Sequence, residues 1–161
     1  MTKQEAKVTF REFEPGDAGV FRRLNEEWIK SYFSQLEAKD EEAIADPERT
    51  VLKGGGRILF AIHEGQAVGC CALVALGPGE FEVAKMAVAE SARGAGIGRQ
   101  LLSRIIAEAA AMGAKRLYLE TNHKLTPAIR LYESAGFRHL GPERIVPSRY
   151  ARADVYMELW L

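Results

Sequence analysis

The hydrophobic pattern changes its period several times along the chain, and each change marks an element. Val8 and Phe10 alternate with polar residues between Lys7 and Phe13, a short strand. Pro15-Gly16 turns the chain, and Asp17 stands where it can cap a helix whose apolar stripe is Val20, Phe21, Leu24, Trp28 and Tyr32. A second helical stretch runs from about Leu36 to Ile44, until Asp46-Pro47 breaks it. Its acids, Glu37, Asp40, Glu41 and Glu42, read for the most part as a solvated face. Gly54-Gly55-Gly56 reads as a flexible link. Arg57 to His63 is apolar on both faces, hence a central strand. Glu64-Gly65 turns it into Ala67 to Leu76, and Gly77-Pro78-Gly79 turns that into Glu80 to Val88. Three strands on short turns predict an antiparallel meander. Ile97, Leu101, Leu102, Ile105, Ile106 and Ala109 then form one helical face. Arg116 to Thr121 returns as a strand, and such a crossover makes a parallel pair. Pro127 to Ala135 is a helix closed by Gly136. A strand starts over Phe137 to Leu140 and a loop covers Arg144 to Arg149. In the last strand Val155, Met157, Leu159 and Leu161 alternate with Tyr156, Glu158 and Trp160.

This order predicts an α/β protein with a mixed, α+β type sheet, in one domain over residues 1–161. At 47% apolar content, 161 residues suffice for a full core. The 22 basic and 22 acidic residues balance, and no long basic run offers a nucleic-acid footprint. MTKQEAKVTF has no apolar signal core, and no stretch is long enough for a membrane span. The default expectation is a cytoplasmic protein without nucleic-acid or membrane partners. Cys70 and Cys71 are adjacent, so on a strand they point to opposite faces. They read as buried free thiols, and no metal cluster is expected.

The chemistry-bearing stretch follows the third meander strand: Arg93-Gly94-Ala95-Gly96-Ile97-Gly98-Arg99. Strand, glycine loop and helix start follow in that order. Glycines let a ligand approach the backbone, and the free N–H groups and dipole of the helix start favour an anion. With Arg93 and Arg99 this is a phosphate or pyrophosphate site. A P-loop needs Lys and a hydroxyl residue after its last glycine, and here Gly98 is followed by Arg99-Gln100. The dinucleotide fingerprint G-x-G-x-x-G fits at Gly94 and Gly96 but meets Arg99 in third place. Glu120 does stand about where its ribose acid would.

A third pattern fits better. Arg93, Gly96 and Gly98 match Arg/Gln-x-x-Gly-x-Gly/Ala, and Ala128-Ile129-Arg130-Leu131-Tyr132-Glu133-Ser134-Ala135-Gly136-Phe137 matches A-x-x-LY-E-x-x-GF. With Met86-Ala87-Val88 before the loop and LYLETN after its helix, the stretch from Phe81 to Phe137 resembles the GNAT superfamily of N-acetyltransferases. The resemblance implies two parallel strands that splay around an acyl-CoA cleft. It implies acetyl-CoA as donor, with its pyrophosphate on Gly94, Ala95, Gly96, Ile97, Gly98 and Arg99 beside Arg93. The backbone of Met86, Ala87 and Val88 would pair with the pantetheine arm. Family members often carry Asn three residues before the Ala of A-x-x-LY. Here that position is Leu125, and Asn122 is the displaced candidate for the contact.

Acyl transfer to an amine needs a neutral amine and a proton for the leaving thiolate, whose conjugate acid has a pKa of about 8.5, like cysteine's. By resemblance Tyr132 is the acid. Two bases are open: Glu82, where histone acetyltransferases of the family carry theirs, and Glu120, where ribosomal-protein alanine acetyltransferases do. Glu82 ranks first, and His123 is a further candidate. Trp28, Tyr32, Glu37, Asp40, Arg149 and Tyr150 are candidates for contacts with the acceptor, a small-molecule amine or a peptide amino terminus. The expectation is an acetyl-CoA-dependent N-acetyltransferase, monomeric or a homodimer. The alternative is an acyl-CoA-binding sensor domain that turns nothing over.

Overall fold

The computed structural model describes residues 5–161. Seven strands form one sheet: β1 (Thr9–Glu12), β2 (Arg57–His63), β3 (Gln66–Gly77), β4 (Glu80–Val88), β5 (Arg116–Thr121), β6 (Arg138–His139) and β7 (Val155–Trp160), in the order β1-β2-β3-β4-β5-β7-β6. Every neighbouring pair is antiparallel except β4 and β5, which run parallel across the α3 crossover. The helices are α1 (Ala18–Phe33), α2 (Ala38–Ala45), α3 (Ile97–Ala111) and α4 (Thr126–Ser134). The mixed α/β sheet expected from the alternation of periods is the one observed.

Each face of the sheet carries its own core. Ile97, Leu101, Leu102, Ile105 and Ala109 of α3 pack with Leu59, Ala61, Cys71, Leu73, Val83, Leu117 and Leu119. Phe21 and Leu24 of α1 and Ile44 of α2 pack with Ile58, Phe60, Cys70 and Ala72 on the other face. Thus β2 and β3 are apolar on both faces because both are covered, as all-round burial of a central strand requires. The adjacent thiols point to opposite cores, and both are free and buried. Burial pushes the Cys70 thiol up to about 12.

Several local expectations need correction. The first strand is shorter than the alternation from Lys7: before Thr9 the chain leaves β2, and the Ala6 N–H bonds to Ala95 O at 3.0 Å. Asp17 stands at the N-cap of α1, but its carboxylate caps nothing. It turns back to the Glu14 N–H at 2.7 Å and to Arg11 at 2.6 and 3.1 Å. The triple glycine is a tight turn rather than a link, since a Cβ on Gly56 would stand 2.2 Å from Leu73 O. The strand after Phe137 shrinks to Arg138–His139 at the sheet edge, outside β7.

The largest correction concerns α2. Asp40 is wholly buried rather than solvated. It accepts hydrogen bonds from both Arg152 terminal nitrogens at 2.6 Å, from Lys85 Nζ at 2.9 Å and from the Glu37 N–H at 2.8 Å. Burial by itself raises this carboxyl; the Arg152 and Lys85 contacts outweigh it and hold the group at about 2. A carboxyl depressed in the fold contributes stability above its unfolded value, lost as pH falls through the folded one. Asp40→Asn strands two buried cations, and a loss of about 3–5 kcal/mol is expected. Urea unfolding at pH 7 measures it, and the gap to wild type should narrow as pH falls from about 4 towards 2.

Candidate active site

The site begins where β4 and β5 part. They pair only at Glu80↔Arg116, Phe81↔Leu117 and Glu82↔Tyr118. Beyond Glu82, β4 continues to Val88 against β3 alone, so its backbone on the β5 side has no strand partner among the described residues. The β3–β4 register slips between Cys70↔Ala87 and Ala72↔Ala84, a bulge centred on Lys85, whose φ is +53°. A bulge bends the strand and redirects its backbone groups. A non-glycine residue in this left-handed region is strained, and such strain concentrates at functional positions. A cavity of about 1020 Å³ fills the gap between the strands.

At the Val88 end the cavity is lined by Met86, Ala87, Val88, Arg93, Gly94, Gly96, Ile97 and Gly98. Gly94 and Gly96 have φ of +80° and +77°, which L side chains rarely adopt. Gly96 is the N-cap of α3, and among the described residues no side chain caps the helix, which leaves its first N–H groups available to an anion. Gly98 lies close under the lining, where an added Cβ would reach Leu131 at 3.6 Å, Val88 at 3.8 Å and Met86 at 3.9 Å. Arg93 Nε donates to Val88 O at 3.2 Å, which lays the side chain across the strand end. Ala95 and Arg99 stand outside the lining. The Ala95 carbonyl takes the Ala6 N–H, and Arg99 pairs with Glu5. Of the two flanking arginines, Arg93 therefore faces the cavity.

Tyr132 comes from α4, which begins with Pro127 in its first turn and ends before Gly136 at φ +101°. Its ring is buried edge-on against Phe137, centroids 5.9 Å apart, and lines the cavity. Burial, and then the neighbouring Cys71 thiol, push its phenol pKa up, so it stays protonated at neutral pH.

The two glutamates differ. Glu82 lines the cavity at the last position where β4 pairs with β5, without a hydrogen-bond partner among the described residues. Burial, and then the Glu120 charge, raise its carboxyl, Lys85 and Lys39 oppose this, and the group reaches about 7. Glu120 is engaged on both oxygens, by the Tyr118 hydroxyl at 2.8 Å and the Ser148 hydroxyl at 2.6 Å. Tyr118 and Ser148 also line the cavity, and nothing in their sequence surroundings marks them. Lys85 lines it too, and its place as a lone cation in an apolar run is the signal that could have marked it.

Of the acceptor-side candidates, Trp28, Tyr32, Arg149 and Tyr150 line the cavity, and Tyr32 is 42% exposed. Glu37 and Asp40 do not line it. They bind the chain around Arg152 from behind, with Glu37 taking the Ala151 N–H at 2.8 Å. Asn122 is on the lining, but its amide is spent within the protein: Nδ2 donates to Arg152 O at 2.6 Å and Oδ1 accepts the Lys124 N–H at 2.8 Å. His123 pairs with Asp154 at 2.5 Å, exposed and off the lining. Among the described residues no helix is long and apolar enough to cross a membrane.

A mixed sheet split at its parallel pair, with a glycine loop at the mouth of the split, defines a class of fold that solved structures share. An acetyltransferase of the GNAT family from Staphylococcus aureus superposes with a TM-score of 0.84 at 20% identity, covering 94% of this chain and 98% of that one. A Salmonella typhimurium acetyltransferase solved with its cofactor acetyl-CoA gives 0.74 at 21% identity, over 96% and 94%. The Acetyltransferase (GNAT) family model matches residues 21–137. An IAA acetyltransferase of Azospirillum brasilense is 35% identical over 84% of this chain and 87% of its own length. An uncharacterized N-acetyltransferase of Schizosaccharomyces pombe is 32% identical over 80% of each. The chain belongs to the GNAT acetyltransferase family.

Proposed function

We propose that the protein is an acetyl-CoA-dependent N-acetyltransferase that moves an acetyl group to a primary amine by direct attack. The observation that carries this reading is Glu82, a cavity-facing carboxyl without a hydrogen-bond partner among the described residues, brought to about 7, at the point where the strands part. A base is most effective when its pKa lies near the working pH. Val88 stands six residue steps beyond Glu82, roughly 20 Å of strand, so an elongated donor can lie along β4 with its phosphates at the glycine loop. The fit is supported by the uncapped start of α3, the positive φ of Gly94 and Gly96, and the unpartnered edge of β4.

Acetyl-CoA supplies the activated thioester. Glu82 takes a proton from the attacking amine, directly or through one water. Tyr132, kept protonated by burial, gives one to the leaving sulfur. The Met86 to Val88 backbone holds the pantetheine arm, and Arg93 with the α3 N–H groups holds the phosphates. Asn122, whose amide is already engaged, serves the wall rather than the donor. The acceptor end carries Trp28, Tyr32, Leu76 and Val146, which suits an amine on an apolar body or a peptide amino terminus.

The test is a panel of amines and peptides with acetyl-CoA, reading free thiol. A binding module would take up acetyl-CoA and release thiol with none of them. In an active reaction kcat/KM should rise with pH through about 7 as Glu82 ionises. Glu82→Gln should be slow at pH 7 and partly restored at pH 9, where the amine becomes neutral in bulk water. Glu120→Gln should lose less, because Glu120 is already bonded to Tyr118 and Ser148. A larger pH-dependent loss in Glu120→Gln would exchange the two roles.

A further inference from the structure

A buried ion cluster closes the acceptor end of the cavity: Lys85 and Arg152 are on its lining, and Asp40 stands behind them. Asp40 holds Arg152 by two hydrogen bonds and Lys85 by a third. The three residues come from α2, the β4 bulge and the chain before β7, and the nearest two are 45 residues apart in sequence. Such clusters add little net stability, because desolvation offsets their attraction. What this one does is fix geometry. Arg152 anchors the segment 147–154, helped by Glu37, which accepts the Ala151 and Arg152 N–H groups at 2.8 and 3.3 Å. In that segment the Ser148 hydroxyl donates to Glu120, and its oxygen accepts the Tyr150 N–H at 3.0 Å. The Tyr150 ring meets both cations, Lys85 Nζ at 4.6 Å and Arg152 Cζ at 4.7 Å from its centre. Lys85 stands three residues beyond Glu82, in the strained bulge position.

We propose that Asp40, Lys85 and Arg152 are positioning residues of the acceptor site. Arg152, held by Asp40, docks the 147–154 segment so that Ser148 and Tyr150 form the wall beside the two glutamates. Lys85, held by the same carboxylate, fixes a positive charge beside Glu82. The groups that face Glu82 are Glu120 and Tyr118 from β5, Lys85 from its own strand, Lys39 from α2 and Tyr150 from the docked segment. Lys85 and Lys39 favour the ionised carboxylate, Glu120 opposes it. Removing the Lys85 charge therefore raises Glu82 above its present value near 7.

The positioning of an acceptor rests on the acetyltransferase reading; the docking of the segment does not, and the experiment separates them. The first readout is limited trypsin cleavage after the exposed Arg149 in Arg152→Met, with acetyl-CoA affinity followed by calorimetry. Cleavage about tenfold faster than wild type is expected, because proteolysis follows the population of the opened segment. Acetyl-CoA affinity should stay within about twofold, since the donor end is untouched. Arg152→Lys should restore part of the protection. The second readout is kinetic. With an accepted amine, Arg152→Met should raise the acceptor KM about 10–100-fold and leave the acetyl-CoA KM unchanged, the usual cost of misplacement. Lys85→Met, which leaves Asp40 bound to Arg152, should move the acid limb of kcat/KM to higher pH. Should Arg152→Met not fold, Glu37→Ala removes the half-exposed part of the dock and gives the same trypsin readout. Unchanged cleavage, or a fall in acetyl-CoA affinity and melting temperature in parallel with the acceptor KM, overturns the proposal. A wild-type protein that acetylates no amine overturns the acetyltransferase reading, and the trypsin result still decides the docking.

Discussion

Tyr132→Phe should slow acetyl transfer by about 10²–10⁴-fold, the range typical of a lost general acid, while acetyl-CoA binds as before. The substitution removes one oxygen and keeps the ring. The edge-on contact with Phe137 at 5.9 Å and the burial of α4 survive, so the fold has no reason to change. The hydroxyl itself has no protein partner among the described residues, so its removal strands nothing. Single-turnover rates measure the effect without interference from product release. A variant that turns over at the wild-type rate, with a substrate whose chemistry is rate-limiting, would reduce Tyr132 to a packing residue. The loss should not recover at high pH, which distinguishes it from that of Glu82→Gln. A larger share of neutral amine does not replace the acid at the leaving sulfur.

Gly96→Asp should weaken acetyl-CoA binding by at least about 100-fold, or 2.7 kcal/mol, because like charges brought together cost several kcal/mol. The added carboxylate would enter at the N-cap of α3, where phosphate must meet the free N–H groups. Two effects are mixed there. Gly96 has φ +77°, so any side chain is strained, and its Cβ would approach Glu5 at 3.3 Å. Gly96→Ala carries the strain without the charge, and about 1–2 kcal/mol of destabilisation is expected from it. Calorimetry on both variants, beside their melting temperatures, separates the terms. Equal affinity of Gly96→Asp and wild type would remove the glycine loop from the donor site.

Much of this site could be read from the sequence because it is built from local rules. The strand Arg57–His63, the hairpin at Glu64-Gly65 and the strand Arg116–Thr121 lie where their periods put them. The glycine loop was equally legible: positive φ, a helix start and an apolar helical face are properties of a few consecutive residues. Tyr132 reaches the cavity through its place in A-x-x-LY. The two glutamates could be picked from the sequence as acids in apolar strands. Their difference could not, because it depends on Tyr118 and Ser148, two and 28 residues from Glu120. Whether Arg93 or Arg99 faces the cavity also depends on a remote neighbour, since Glu5 takes Arg99.

The sequence by itself therefore determined the meander, the crossover, the glycine loop at a helix start and the residue types of the candidate site. Each follows from periodicity or backbone preference within one element. The tertiary structure alone decided where β4 and β5 separate, since a strand's own residues do not say how far its neighbour follows it. It alone placed β7 between β5 and β6. It also reversed the reading of one acid of α2, while Glu41 and Glu42 are exposed as expected. Asp40 sits among Glu37, Glu41 and Glu42 and looks like one more solvated acid. It is buried because Lys85 and Arg152, 45 and 112 residues away, converge on it. Charge pairing over such separations leaves no period in the chain, because it is a property of the packed surfaces and not of any segment.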